Sequence, residues 1–413
     1  MLLHKERNDF TMVFKKRVVT VLSTIILMLI LSIICSACYP TGERESLNNN
    51  ILGNTVELKR ELIPSNYYDN HNPDKVNENI SICCSERKLY IPDEINFCKI
   101  TTKKNTCNEP EKIKDIFLNG QIDLETAEAD NGTTYYYTSD NGANVTITGD
   151  SICYIAENTP YAYNYRTLFA GDNTTCHPNL DMFYRSTEIE GIDKNYAINL
   201  ACEKLDAIGI DYYSKPKVIC LDAEGVATAL EYFDKIYGVA KPLEGRKDIH
   251  DFSKEDEAYL IIFNHSFEDM PISYEMYYNN DFSFEACYAY AVVNKNGLVY
   301  LDSSLGYTPT KTEKLTKLYN IDVIYNVLKN KYGNSMMKRN YLLEEIHLEY
   351  ICINEKPEMI DGIIFEPYYI CYFTTNQDKM SGESTDDRLY YVVYMINALT
   401  GEVLDTSHSG DLV

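Results

Sequence analysis

Three adjacent cations, Lys15-Lys16-Arg17, precede seventeen residues from Val18 to Ile34 that only Thr20, Ser23, Thr24 and Ser32 interrupt, and Cys35-Ser36-Ala37-Cys38 follows. This is the order of the n-, h- and c-regions of an export signal. It constrains everything downstream, because a chain that crosses a membrane must fold on the far side. As a helix the apolar run would reach about 26 Å at ~1.5 Å per residue, short of the ~30 Å hydrocarbon core. A cleaved signal therefore fits better than a single N-terminal transmembrane anchor, which stands as the alternative. Met12 serves as a start as well as Met1 does, since Glu6 and Asp9 sit poorly in an n-region.

Cys38 directly after Ser36-Ala37 resembles the lipobox of bacterial lipoproteins, whose cysteine is diacylglycerated before cleavage. Cys35 stands where that family usually has Leu. The resemblance implies lipidation, with palmitate-type chains, at Cys38. Two or more acyl chains anchor stably where one is marginal, so the protein would sit on the outer face of the cell membrane.

The net charge of −24 argues against nucleic acid as a partner, because phosphate binding draws on clustered Lys and Arg. With 45% hydrophobic and 24% charged residues over 413 positions, the chain can build two or three domains with real cores. Removing Cys35 and Cys38 from thirteen cysteines leaves eleven, an odd number without regular spacing. Cys202 falls in a helix pattern and Cys153, Cys220, Cys287, Cys352 and Cys371 in strand-like runs, where free thiols behave as small core hydrophobes. A bridge between Cys98 and Cys107, in a polar stretch, is the other reading. No C-x-x-C occurs after the signal, which leaves a zinc ribbon or thioredoxin motif unsupported.

Residues 1–37 read as the signal peptide and 38–80, Asn-rich with Pro40, Pro64 and Pro73, as a flexible tether. Residues 81–188 read as a β-rich N-terminal domain, with Thr133 to Thr138, a turn at Asp140-Asn141-Gly142, and Asn144 to Ile155 as its hairpin. Residues 189–308 read as a first α+β unit. There Ala197, Leu200, Ala201, Leu205 and Ile208 share a helix face between Asp193 as cap and Gly209 as stop, and Val226, Leu230, Phe233 and Tyr237 make a second stripe. Its strands end at the Asn294-Lys295-Asn296-Gly297 turn and Asp302. Residues 309–413 repeat the grammar: Asn320 and Asp322 open a helix that Gly333 stops, and strands follow at Glu345 to Ile353, Ile363 to Thr374 and Arg388 to Ile396. An Asn opens the last turn and an Asp closes the last strand eight residues later in both units, Asn294 to Asp302 and Asn397 to Asp405. The expected fold is α+β, with a β-rich N-terminal domain before two related helix-plus-antiparallel-sheet units.

The closing segment Asn397-Ala-Leu-Thr-Gly-Glu-Val-Leu-Asp405 resembles the final strand pair of a PepSY module, commonly D-A-x-T-G-E-V, with Asn397 in place of Asp. The likeness implies PepSY/cystatin-like units. Thirty-six Tyr with no Trp match the usage of an AT-rich genome, and the whole arrangement is similar to uncharacterised lipoproteins of low-GC Gram-positive bacteria. Those resemblances imply surface location and an extracytoplasmic binding or inhibitory role, not catalysis.

Candidate chemistry is sparse. Ser335-Met-Met-Lys338 and Ser139-Asp140-Asn141 match S-x-x-K and S-D-N of penicillin-binding enzymes, but in the wrong order and without K-T-G. Glu345, His347 and Glu349 alternate on a strand and could ligate a metal; a solvated sheet face is the ordinary outcome of such alternation and the one expected. His177, His250, His265 and His408 are scattered without H-E-x-x-H. Tyr288, Tyr290, Tyr368, Tyr369, Tyr372, Tyr390, Tyr391 and Tyr394 offer either a binding face or core packing. The expectation is thus a lipid-anchored, non-enzymatic binding or regulatory module for a protein, peptide or envelope component, with no cofactor, metal or catalytic residue and with its ligand contacts unassigned. A secreted hydrolase and a structural spacer are the alternatives.

Overall fold

The computed structural model describes residues 55–56, 74–75, 80–82, 89–92, 97–129, 132–157, 159, 161, 183–236, 248–273, 277–278, 283–284, 287–333, 340–353, 361–376 and 389–405. The signal, Cys38, Cys83-Cys84, Ser335 to Lys338, His177 and His408 lie outside them.

In chain order the strands of the two large sheets begin with β1 (Asp74–Lys75), β2 (Ile80–Ile82), β3 (Leu89–Tyr90) and β4 (Cys98–Lys104). Helix α1 (Pro110–Phe117) precedes β5 (Ile122–Ala129), β6 (Gly132–Ser139), β7 (Asn144–Ile147) and β8 (Ser151–Ile155). Helix α2 (Lys194–Ile208), β9 (Lys217–Leu221) and α3 (Ala223–Ile236) lead to β10 (Ala258–Asn264), β11 (Tyr288–Asn294), β12 (Gly297–Ser304) and β13 (Tyr307–Lys314). Helix α4 (Asp322–Tyr332) is followed by β14 (Asn340–Ile353), β15 (Asp361–Asn376), β16 (Leu389–Asn397) and β17 (Val403–Asp405).

One sheet has eight strands in the order β9-β10-β11-β12-β8-β7-β6-β5, all antiparallel. Strand β10, second from one edge, is apolar at consecutive positions because both faces are covered, as the continuous run Ala258 to Phe263 requires. Tyr259, Ile261 and Phe263 share a core with Ala197, Ala201 and Leu205 of α2, whereas Ala258, Leu260 and Ile262 share one with Val226, Ala229 and Leu230 of α3. Period-two alternation in the strand thus meets two helices on opposite faces. Asp193 caps α2 by accepting from the Tyr196 N–H at 2.6 Å, and Gly209 ends it at φ 78°, as the sequence pattern implies.

The second sheet runs β13-β4-β15-β14-β2-β1, with β16 and then β17 added beside β15, and β3 beside β14. Helix α4 buries Val323, Ile324, Val327, Leu328 and Tyr332 in its core. Order reaches back into the 38–80 span, where Thr55–Val56 pairs with Leu318–Tyr319.

This architecture corrects the expected α+β class. The chain is mostly β, and no separable helix-plus-sheet units of the PepSY/cystatin-like kind are present among the described residues. The expected C-terminal unit does contain a helix and a meander, but β14 and β15 are 14 and 16 residues long, and β15 takes β4 as a partner. The expected first unit shares its sheet with β5 to β8 through the β12–β8 pair. Local periodicity identifies strands; it does not say which distant strand lies beside them, and those distant partners make this fold. The hairpin at 132–155 forms as expected, its second arm divided into β7 and β8 by a turn at Thr148–Ser151. Helix α1 replaces an expected strand region, with Pro110 at its first position, where a missing N–H costs nothing.

Leu301 on β12 is fully buried against the α2 core. Leu301→Ala is expected to destabilise by about 2–5 kcal/mol, and Asp193→Ala by about 1 kcal/mol, in urea unfolding of the full chain. Equal midpoints for wild type and Leu301→Ala would contradict this packing.

Candidate functional site

Glu345, His347 and Glu349 do project from one face of β14, while Ile346, Leu348 and Tyr350 fill the core on the other. The face is not solvated. Side-chain exposure is 20%, 13% and 6% for Glu345, His347 and Glu349. Strand β3 runs parallel beside β14 and sets Tyr90 opposite His347, with ring centroids 4.3 Å apart, and Tyr372 of β15 abuts the imidazole edge-on at 5.0 Å. His347 Nδ1 lies 3.1 Å from Glu349 Oε1 and Nε2 lies 3.4 Å from Glu345 Oε2. Burial alone would lower the imidazole pKa, but hydrogen bonds to the two carboxylates outweigh it and raise it to about 9. The trio is a charged cluster, and no metal-holding group of His, Cys, Asp or Glu occurs among the described residues.

The other sequence candidates separate. Ser139, Asp140 and Asn141 form the β6–β7 turn, with the Ser139 N–H donating to the Ala143 carbonyl at 2.9 Å. His250 pairs with Asp248 at 2.6 Å on the surface. His265 Nε2 approaches Ser303 Oγ at 3.4 Å, a contact that suggests a nucleophile and base. Both residues are buried, and the Ser303 hydroxyl donates to the Ser304 carbonyl at 2.8 Å, so its proton is not held by the imidazole. Burial pushes the His265 imidazole down to about 4. Gly306 must be glycine here, since a Cβ would come within 2.6 Å of His265 Nδ1 at a φ of +67°.

Among the described side chains the candidate tyrosines do not form an exposed face. Tyr290, Tyr368, Tyr369, Tyr372 and Tyr394 are buried, and Tyr369 donates its hydroxyl to the Tyr319 carbonyl at 2.8 Å. They serve as large core residues, and Tyr369 has its polar end satisfied. Cys98, Cys107, Cys153, Cys202 and the buried Cys220, Cys287, Cys352 and Cys371 are thiols outside any disulfide, so Cys98 and Cys107 are not bridged.

The feature that sequence reasoning missed is a cavity of about 560 Å³ at one end of the eight-stranded sheet. Strand registers build it. Ile155 pairs with Asn144 and with Tyr300, Asn294 pairs with Gly297 and with Ala258, so four chain reversals or exits collect at the same end. Phe117 and Tyr154, stacked with centroids 4.9 Å apart, line it beside Asn141, Asn294, Asp256 and Tyr161. A second cavity of about 570 Å³ lies between the loop before α1 and the end of α2 and includes Cys107, whose thiol pKa burial raises. The only signal for the first cavity in the sequence is the pair of Asn-bearing turns.

The chain is similar in fold to an uncharacterized protein from Eubacterium rectale ATCC 33656, known from a crystal structure at 1.45 Å resolution. The TM-score is 0.59 at 16% identity, over 86% of this chain and 96% of that one, a likeness that speaks to fold alone. No family model and no curated protein matches the chain.

The imidazole of an unfolded chain titrates near 6.5 and that of folded His347 near 9, so protonation favours the folded state. Its stabilisation is complete below about pH 6.5 and is lost as pH rises through about 9. Urea midpoints across that window should fall more steeply for wild type than for His347→Gln. Parallel pH profiles would show that the carboxylates do not hold a charged imidazole.

Proposed function

We propose that the protein is a lipid-anchored extracytoplasmic binding module, held by Cys38 on the outer face of the cell membrane and presenting the sheet-end cavity to an envelope component. The observation that carries the binding reading is that cavity, which at about 560 Å³ falls in the range of small-molecule sites. Among the described residues it is lined by amides, hydroxyls, the carboxylates of Glu157 and Asp256, and an aromatic pair. Its walls are the ends of strands whose middles are packed on both faces, so the lining groups are held by a rigid scaffold. The anchored reading rests on Lys15-Lys16-Arg17, the apolar run and Ser36-Ala37-Cys38. Nothing in the described residues favours hydrolysis in preference to binding, since the Ser303–His265 contact is closed to any substrate.

Growth of producing cells with an alkyne-tagged palmitate should label the wild-type protein and not Cys38→Ala, while Cys35→Ala keeps the label. A membrane-bound but unlabelled wild type would favour a transmembrane anchor instead, and labelled Cys38→Ala would remove the lipobox.

A further inference from the structure

Resting on that reading, we propose that the sheet-end cavity binds a saccharide, gripping ring hydroxyls with fixed amide donors and carboxylate acceptors beside the apolar surface of Phe117 and Tyr154. The donors come from two Asn-bearing turns. Asn141 Oδ1 accepts from the Ala143 N–H at 3.1 Å and from the Ser139 hydroxyl, and Asn294 Oδ1 accepts from the Asn296 N–H at 2.8 Å. A backbone N–H can only face the amide oxygen, so each side chain is locked in one orientation with its NH2 left to donate outward.

Acceptors complement them. Asp256 Oδ2 is occupied by the Ser253 N–H and hydroxyl, at 3.1 and 2.7 Å, which leaves Oδ1 for a ligand, and Glu157 lines the same cavity. Tyr161 is fully buried, lines the cavity, and its hydroxyl has no hydrogen-bond partner. A buried hydroxyl without a partner is costly, and a ligand oxygen would satisfy it. Burial first, then the charges of Asp256, Asp251 and Asp248, push its pKa up to about 12, which keeps it a donor.

The ligand class follows by chemistry. Among the described residues no Lys or Arg lines the cavity, and the chain carries −24, so phosphates and carboxylates are disfavoured. A cation would use the carboxylates and meet three neutral donors, at Asn141, Asn294 and Tyr161, that it cannot satisfy. An extended peptide is read along a sheet edge, whereas these groups come from separate turns that line one cavity. Vicinal hydroxyls, each both donor and acceptor, use every group present, and Phe117 and Tyr154 supply the apolar wall.

The test is calorimetric titration of the full chain in detergent with cellotriose, maltotriose and chitotriose, and with spermidine and tetraglycine as probes of the competing chemistries. At least one trisaccharide is expected to bind. Tyr161→Phe removes one hydroxyl, and Asn294→Asp keeps the turn acceptor while removing the NH2; each should weaken that binding about tenfold, the scale of a lost buried hydrogen bond. A purely structural Tyr161 would leave affinity unchanged, and thermal unfolding of each variant checks that the fold is kept. Saccharide affinity untouched by both substitutions overturns the proposal. If spermidine or tetraglycine binds and no trisaccharide does, the saccharide inference falls while the binding reading stands. If no probe binds a cooperatively folding wild type, both fall.

Discussion

The antiparallel joint between β12 and β8 is the contact on which the larger part of the fold depends. Tyr300 faces Ile155 and Ser304 faces Ser151 across it, and the Ala156 N–H donates to the Val299 carbonyl at 2.9 Å. Without it, β5 to β8 and β9 to β12 would be two separate four-stranded sheets. Loop-closure entropy grows only slowly with length, by about 0.6 kcal/mol per doubling, so so distant a pairing is tolerated once burial rewards it. The reward is visible in the core on both faces: Leu301 joins the α2 side and Tyr300 the α3 side. The same joint sets which ends coincide, and hence where the cavity lies.

The second sheet obeys the same logic. Strand β4 lies between β13 and β15, more than 200 positions away in sequence, and is held by ladders on both sides. Tyr350 ties it further, its hydroxyl accepting from the Cys98 N–H at 2.7 Å. The parallel placement of β3 beside β14 then covers His347 with Tyr90 and turns three alternating polar residues into a shielded charged cluster. A buried charge needs partners, and two carboxylates flanking one imidazolium supply them.

What the sequence conveys is local. Asp193 and Gly209 bound α2, the Asp140-Asn141-Gly142 turn joins β6 to β7, and Asn294 to Gly297 joins β11 to β12, each because the residue chemistry at one place dictates the backbone there. The likeness between the hairpins ending at Asp302 and Asp405 is of this local kind and does not extend to matching units. Burial of Glu349 is not legible in the sequence, because period-two alternation reports a face without reporting what lies over it. Glu345, His347 and Glu349 read as solvated since Tyr90, their cover, comes from a segment more than 250 positions earlier. The cavity escaped for the same reason: its described lining residues come from five separated segments that only register brings together.

Turn residues explain how such a site can arise at little structural cost. Asn141 and Asn294 are required first by geometry, since their side-chain oxygens close the turns on backbone N–H groups. That duty consumes only the oxygen. The amide nitrogen, fixed in the same plane, is left as a donor whose direction is set before any ligand arrives, so little conformational entropy remains to be lost on binding. Two turns at the same end of one sheet therefore yield a pair of oriented donors without any residue placed there for that purpose alone. Chemistry specific to this chain then resides in what surrounds them: the buried hydroxyl of Tyr161, the half-occupied carboxylate of Asp256, and the absence of any Lys or Arg from the described lining residues.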